Sequence, residues 1–195
     1  MPAMLVGAPL CGGRSYALLK SFFEKTLGAF GAECDDIYSV MGKMASEDKD
    51  DCDLAFDTRF CGTRTNPDLK GAITQITEDN FTPQQLTRSF LIGMCAELYS
   101  YYEQMKKLTG KNYTQLVGSG NGVRQNKVLQ YYLEKAFGMP VEIPENTEEA
   151  AFGATVFANR SKTVDKEYSR LDCFNCRGNI NGREIDNTRE KVNEK

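Results

Sequence analysis

Apolar residues return every third or fourth position across residues 15–30, where Leu18, Leu19, Phe22, Phe23, Leu27 and Phe30 share one face. That spacing predicts an amphipathic helix, entered through the paired glycines of "LCGGRS". Ile37, Val40, Met41 and Met44 repeat the period and predict a second helix. The clearest element comes later. Thr82 is a natural N-cap, Pro83 suits the first helical position, and Gln85 completes a capping box. Leu86, Phe90, Met94, Leu98, Tyr101, Met105 and Leu108 then form one apolar stripe, which Gly110 ends. A Met and aromatic stripe of this kind reads as a core-facing helix.

Other stretches break the period. "SEDKDDCD" carries five carboxylates but no calcium-loop spacing, and reads as a charged surface loop. "DLAFDTRFCGTRTNPDLKGAITQI" reads as short strands joined by a Gly/Asn-Pro turn. Residues 113–117 read as a strand leading into "GSGNG". Val128, Leu129, Tyr132, Leu133, Ala136 and Phe137 then form another helical face, closed by Gly138. "MPVEIP" is a short strand between prolines, and Asn146 with Glu149 offers a capping box for a last helix, "EEAAFGATVFA". Strands and helices alternate in this half, which predicts an α/β architecture. Residues 159–195 are polar and aperiodic, and read as a flexible or loosely attached tail.

Composition narrows the chemistry. The chain has 195 residues, enough for one domain with a real core, and a net charge of −3, so no global basic field recruits nucleic acid or an anionic membrane. No apolar run reaches the ~20 residues that span a bilayer, and the N-terminus lacks the pattern of a secretory signal. Seven cysteines without an export signal indicate free thiols in a reducing cytoplasm. Histidine is absent, which removes Ser-His and Cys-His triads and every His-metal site. Cys173 and Cys176 form a lone CxxC, short of the four ligands of structural zinc, and read as incidental thiols.

Candidate chemistry concentrates in "LVGSGNGVRQNKVLQYYLEKAFG", a strand, a glycine turn and a helix. Glycine lets a ligand lie against the main chain, and a helix N-terminus offers unpaired N–H groups and partial positive charge. The turn lacks the Gly-Lys-Ser/Thr end of a P-loop and the full G-x-G-x-x-G spacing. By spacing alone, a nucleotide site and a tight structural turn both remain open.

From residue 116 to residue 158 the sequence resembles the adenosine-binding segment and closing helix of the FGGY carbohydrate kinases, of the actin/hexokinase superfamily. "FDTRFCGTRTNPDLKGAITQI" is similar to the sedoheptulokinase-like branch. The order of "GG" plus helix, "GTR", Thr-Pro-capped helix and "GSGNG" also matches, over roughly residues 3–158. The resemblance implies an α/β, ribonuclease-H-like domain, with a mixed sheet flanked by helices and without its first strands. Residues 1–158 would be part of the C-terminal, nucleotide-binding domain, with ATP or ADP and Mg²⁺ as cofactors. Gly120, Asn121 and Gly122 would line the adenosine pocket, opening at the strand end near Val117. Asn126, on the first turn of the following helix, would contact the adenine or hold that wall. Gly12 would sit near the phosphates, and Gly13 would permit the turn. Gly153 and Ala154 would let the last helix pack closely beside the pocket. Arg59, Gly62, Thr63 and Arg64 would brace the cleft wall, with a direct phosphate contact from Arg64 as the alternative.

The parent reaction would transfer the γ-phosphoryl group of ATP to a sugar hydroxyl, of sedoheptulose or another ketose. The chain shows no "GD"-type base motif, so no catalytic residue is assigned in it, and it is expected to be inactive alone. The sugar site would come with an N-terminal half, encoded separately or lost. A non-catalytic actin-like interaction module and a decayed gene fragment are the alternatives.

Overall fold

The computed structural model describes residues 5–47, 53–145 and 148–159, without the side chains of 157–159. The expected CxxC, the Asn146 cap, most of the charged loop and the tail after residue 159 lie outside them.

Among the described residues six helices carry the fold: α1 Gly12–Ala29, α2 Ile37–Ser46, α3 Pro83–Thr109, α4 Asn121–Gln125, α5 Lys127–Phe137 and α6 Glu149–Asn159. The caps read from the sequence set several boundaries. Thr82 Oγ1 accepts from Gln85 N at 3.2 Å, Pro83 opens α3, and Gly110 ends it with φ 65°. Gly138 ends α5 in the same left-handed conformation, with φ 67°. Asp36 caps α2 by accepting from Ser39 N at 3.1 Å. The α3 helix has 27 residues and so runs for about 40 Å.

The strands are short. β1 Ala55–Asp57 pairs antiparallel with β2 Ala72–Thr74, in the register Phe56 opposite Ile73. β3 Leu116–Val117 pairs parallel with β4 Val141–Glu142. Among the described residues these are two separate two-stranded ladders, where the sequence reading expected one mixed sheet. The expected strand over residues 113–117 is correspondingly confined to Leu116–Val117. Ladders of two and three residues supply few hydrogen bonds, so helix packing carries the core.

That core has two adjoining parts, and α3 serves both. Leu86 and Phe90 join Leu19, Ile37, Met41 and Leu54. One step round the helix, Leu91 and Cys95 join Ala45, Leu129, Tyr132 and Leu133. Each large apolar side chain buried in this way contributes ~1.5–3 kcal/mol. β1 is drawn onto α3 by rings: Phe56 lies 4.6 Å from Phe90, and Phe60 lies 5.9 Å from it. Gly93 makes the approach possible, since a Cβ there would come 2.1 Å from the Phe56 carbonyl oxygen. Arg88 is also fully buried in α3, with Nη1 donating to Gln85 Oε1 at 3.2 Å.

The apolar stripes run further than their cover. Leu19 is buried, yet Phe22 on α1 is 52% exposed, Phe30 at its C-cap is 85% exposed, and Leu108 is 76% exposed near the end of α3. No helix among the described residues is long and apolar enough to cross a membrane.

Candidate functional site

The glycine turn begins where β3 ends. Gly118 is a packing glycine: its N–H donates to Glu142 O at 2.9 Å, and an added Cβ would lie 2.8 Å from Val123 and Val141. Gly120 differs. Its φ of 88° and ψ of 155° belong to a region open essentially to glycine alone, and a Cβ there would meet nothing within 4 Å. Gly120 is the N-cap of α4, with no side-chain cap, and Asn121 and Gly122 form the exposed first turn. A Cβ on Gly122 would also meet nothing within 4 Å.

The helix expected from Asn126 to Phe137 is α5, Lys127–Phe137, and the short helix α4 precedes it. The Asn126 backbone is extended between α4 and α5, and its Oδ1 accepts from Leu129 N at 2.9 Å. Asn126 therefore caps α5, where the sequence reading had placed it inside the first turn. Gln130 reinforces the junction, with Nε2 donating to Val123 O at 2.7 Å.

Arg124 ties the turn to the end of the fold. Its guanidinium donates to Pro144 O and to Glu149 Oε1, each at 2.6 Å. Its own backbone N–H, the Arg124 guanidinium and the Gly120 N–H hold the Glu149 carboxyl below the usual carboxylate range. A carboxylate thus stands beside the Gly120 turn. The close packing expected at Gly153 and Ala154 is not found: both residues are exposed, and a Cβ on Gly153 would have open space. α6 is joined to the turn through its first residue, a polar tie between positions 25 apart that the sequence did not show.

At the other glycine pair the turn falls on the first residue and not the second. Gly12, with φ 39°, makes the turn into α1, while Gly13 is already helical. Neither would meet an atom within 4 Å of an added Cβ. The α1 N-terminus has no side-chain cap and no acidic residue in its first turn. Tyr16, one turn on, faces Asn126. Burial pushes the Tyr16 phenol up to about 12; the Asn126 amide offsets part of this, and Tyr38 adds to it. Tyr16 Oη nevertheless has no hydrogen-bond partner of ordinary geometry. Asn126 and α1 are thus neighbours, with Tyr16 between them, a placement that no periodicity in the sequence marks.

The "DTRFCGTR" segment builds a different surface, an open cleft of about 880 Å³ between β1, β2 and α3. Arg59 grips Asp57 with two bonds, Nε to Oδ1 at 2.8 Å and Nη2 to Oδ2 at 2.6 Å. Those bonds hold the Asp57 carboxyl below its ordinary range. Thr58 Oγ1 donates to Glu97 Oε2 at 3.2 Å, while burial pushes the Glu97 carboxyl up. Gly62, at φ 72°, turns the loop under Pro67, and Thr63 N donates to Asn66 O at 2.8 Å. Arg64 lines the cleft with its side chain exposed. A second groove of about 400 Å³ is almost entirely apolar, between α1, α2 and the start of α3. Neither cleft is lined by Gly12, Gly13, Gly120, Asn121, Gly122 or Asn126, and neither lies at the strand end near Val117.

A nucleotide fits the two glycine turns in one respect: at Gly12, Gly13, Gly120 and Gly122 the space beside the main chain is open. Among the described residues no three or more His, Cys, Asp and Glu side chains converge as a metal site.

Several solved structures share the fold of this chain. They include the ligand-bound xylulose kinase from Lactobacillus acidophilus, 16% identical, with a TM-score of 0.63 over 81% of this chain and 31% of that one. Another is Plasmodium falciparum glycerol kinase with ADP, 18% identical, with a TM-score of 0.61 over 77% and 30%. The family model of the C-terminal domain of the FGGY family of carbohydrate kinases matches residues 1–161, and the chain belongs to that family. Among curated proteins it is similar to the sedoheptulokinase of Mus musculus, 28% identical over 166 residues, which are 83% of this chain and 34% of that protein. The human sedoheptulokinase is 25% identical over 157 residues, 80% and 32% of the two chains. The chain spans about a third of the length of these relatives.

Proposed function

We propose that this domain holds the nucleotide of an ATP-dependent carbohydrate kinase, with the nucleoside against Gly120–Gly122 and the phosphates toward Gly12 and Gly13. The polarity of the two turns carries this reading. Glu149 places a carboxylate beside the Gly120 N–H, which disfavours phosphate there and leaves a wall for the uncharged nucleoside. The α1 N-terminus has uncapped N–H groups, no acid in its first turn and Arg14 beside it, which suits phosphate oxygens. Asn126 acts here by fixing the start of α5 and facing Tyr16, so it holds the nucleoside wall.

Bound ATP would supply the phosphoryl group that a sugar hydroxyl accepts, with sedoheptulose or another ketose as the acceptor class. Mg²⁺ would enter with the nucleotide phosphates. The residues of this chain bind and orient. We assign sugar recognition and the general base to the part of the relatives that this chain does not match, so the 195-residue chain alone turns over no sugar. In-line transfer requires the acceptor hydroxyl to be positioned as well as the nucleotide.

Titrating ADP into ¹⁵N-labelled chain tests the placement. The largest shifts are expected at the amides of Gly12, Gly13 and residues 120–126. Shifts centred on residues 57–66 would move the site to the open cleft and refute the reading. A non-catalytic actin-like interaction module is favoured by one observation, the apolar groove flanked by exposed Phe22, Val40 and Phe81. A folded chain that ignores ADP would support that second reading.

A further inference from the structure

Two thiols far apart in sequence meet at the base of α1. Cys11 is the last residue before α1 and is 6% exposed. Cys61 is exposed, in the loop between β1 and β2. Cys61 Sγ lies 3.7 Å from Cys11 Sγ, and both are free. We propose that Cys11 and Cys61 are a redox pair that closes reversibly into an intramolecular disulfide, stapling the loop that carries Arg59 and Arg64 to the residue before Gly12.

The geometry favours closure within the existing fold. A disulfide has its sulfurs ~2.05 Å apart, so the two need to approach by less than the length of two bonds. The backbone on both sides is already fixed. Cys11 O accepts from Arg14 N at 2.9 Å, and Gly62 N donates to Arg59 O at 3.0 Å. Cys61 is the accessible member. Its thiol is held above the ordinary range by the hydrogen bond to Cys11, with Arg14 and Lys70 pulling the other way. The other described cysteines differ. Cys95 is buried and pushed up to about 12 by burial, and Cys34 borders the apolar groove.

The chemistry balances with a peroxide as oxidant. The Cys61 thiolate attacks one oxygen of hydrogen peroxide, the O–O bond breaks, and a sulfenic acid forms as hydroxide leaves and takes up a proton to become water. Cys11 then attacks the sulfenic sulfur, the S–O bond breaks, and the second water leaves. Two thiols lose two electrons and two protons to one peroxide. A dithiol reductant reverses the bond by exchange. The pair stands independently of the nucleotide reading, because neither thiol is assigned a ligand.

The test uses the whole chain, reduced and then treated with one equivalent of hydrogen peroxide at about pH 8, where more thiol is ionised. Peptide mapping without reductant is expected to show a Cys11–Cys61 linked peptide as the main oxidised product, lost on adding dithiothreitol. Closing a 50-residue loop is expected to raise the Tm by several degrees, in the wild type but not in Cys61→Ser. Cys61 is exposed, so that variant tests the pair without opening the core. Pairing of Cys61 chiefly with Cys52, Cys173 or Cys176 would overturn the proposal. So would Cys61 sulfinic acid beside an unmodified Cys11.

Discussion

Alanine at Gly122 separates a glycine kept for a ligand from one kept for the chain. Gly122 sits in the first turn of α4 with φ in the ordinary range, and an added Cβ would meet nothing within 4 Å. No contact or strain in the fold requires glycine there. Replacing it by alanine removes backbone freedom from the unfolded chain and favours helix, by about 0.5–1 kcal/mol. For a chain of this size that is a rise of about 1–4 °C in Tm. ADP at a hundred times its Kd should stabilise the wild type by about 2.7 kcal/mol, or about 5–10 °C. A methyl group between the main chain and the nucleoside is expected to weaken binding at least tenfold. At the same ADP concentration about 1.4 kcal/mol of stabilisation then remains, so the ADP-dependent shift falls by half or more. Thermal unfolding with and without ADP reads both effects. Gly13→Ala is expected to behave alike, since Gly13 is also helical and open. Gly28→Ala, in the last turn of α1 and equally open, is the control and should gain stability while keeping the full ADP shift. If Gly122→Ala and Gly13→Ala both retain the wild-type ADP shift, the nucleotide does not lie against these turns.

Asn126→Ala removes the α5 cap and is expected to cost about 1 kcal/mol, seen as a lower urea midpoint at unchanged slope. Gly93→Ala drives a methyl into the Phe56 carbonyl and is expected to cost about 3 kcal/mol, with β1 lifted off α3 in hydrogen exchange. Glu97→Gln tests the cleft electrostatics by its pH dependence. Burial raises the folded-state pKa of Glu97, so its stabilising contribution is full below the unfolded pKa and is lost as pH rises through the folded one. The variant is therefore expected to exceed the wild type in stability at pH 7 and to converge with it near pH 3, as urea melts across that range would show.

Local chemistry made much of the fold legible. The Thr82-Pro83 start and the Gly110 and Gly138 stops act within a few residues, and the α3 and α5 boundaries follow them. Two neighbouring glycines were harder, because composition does not say which of Gly12 and Gly13 takes the left-handed conformation. The sequence places Asn126 on the first turn of the helix, and its extended backbone makes it the cap one position earlier. The sheet was read too generously, because each short apolar run implies a strand while ladder length depends on the partner. What the sequence hid most fully were polar ties across distance. Thr58 with Glu97 at the cleft, Arg124 with Glu149, and Cys11 with Cys61 leave no periodic trace.

The central claim, that this domain holds a nucleotide, is tested most directly by calorimetric titration of Mg-ADP into the purified 195-residue chain. The expected result is saturable binding at one site per chain, weakened at least tenfold in Gly122→Ala. A chain shown to be folded by circular dichroism, yet releasing no heat of binding at millimolar ADP, would contradict it.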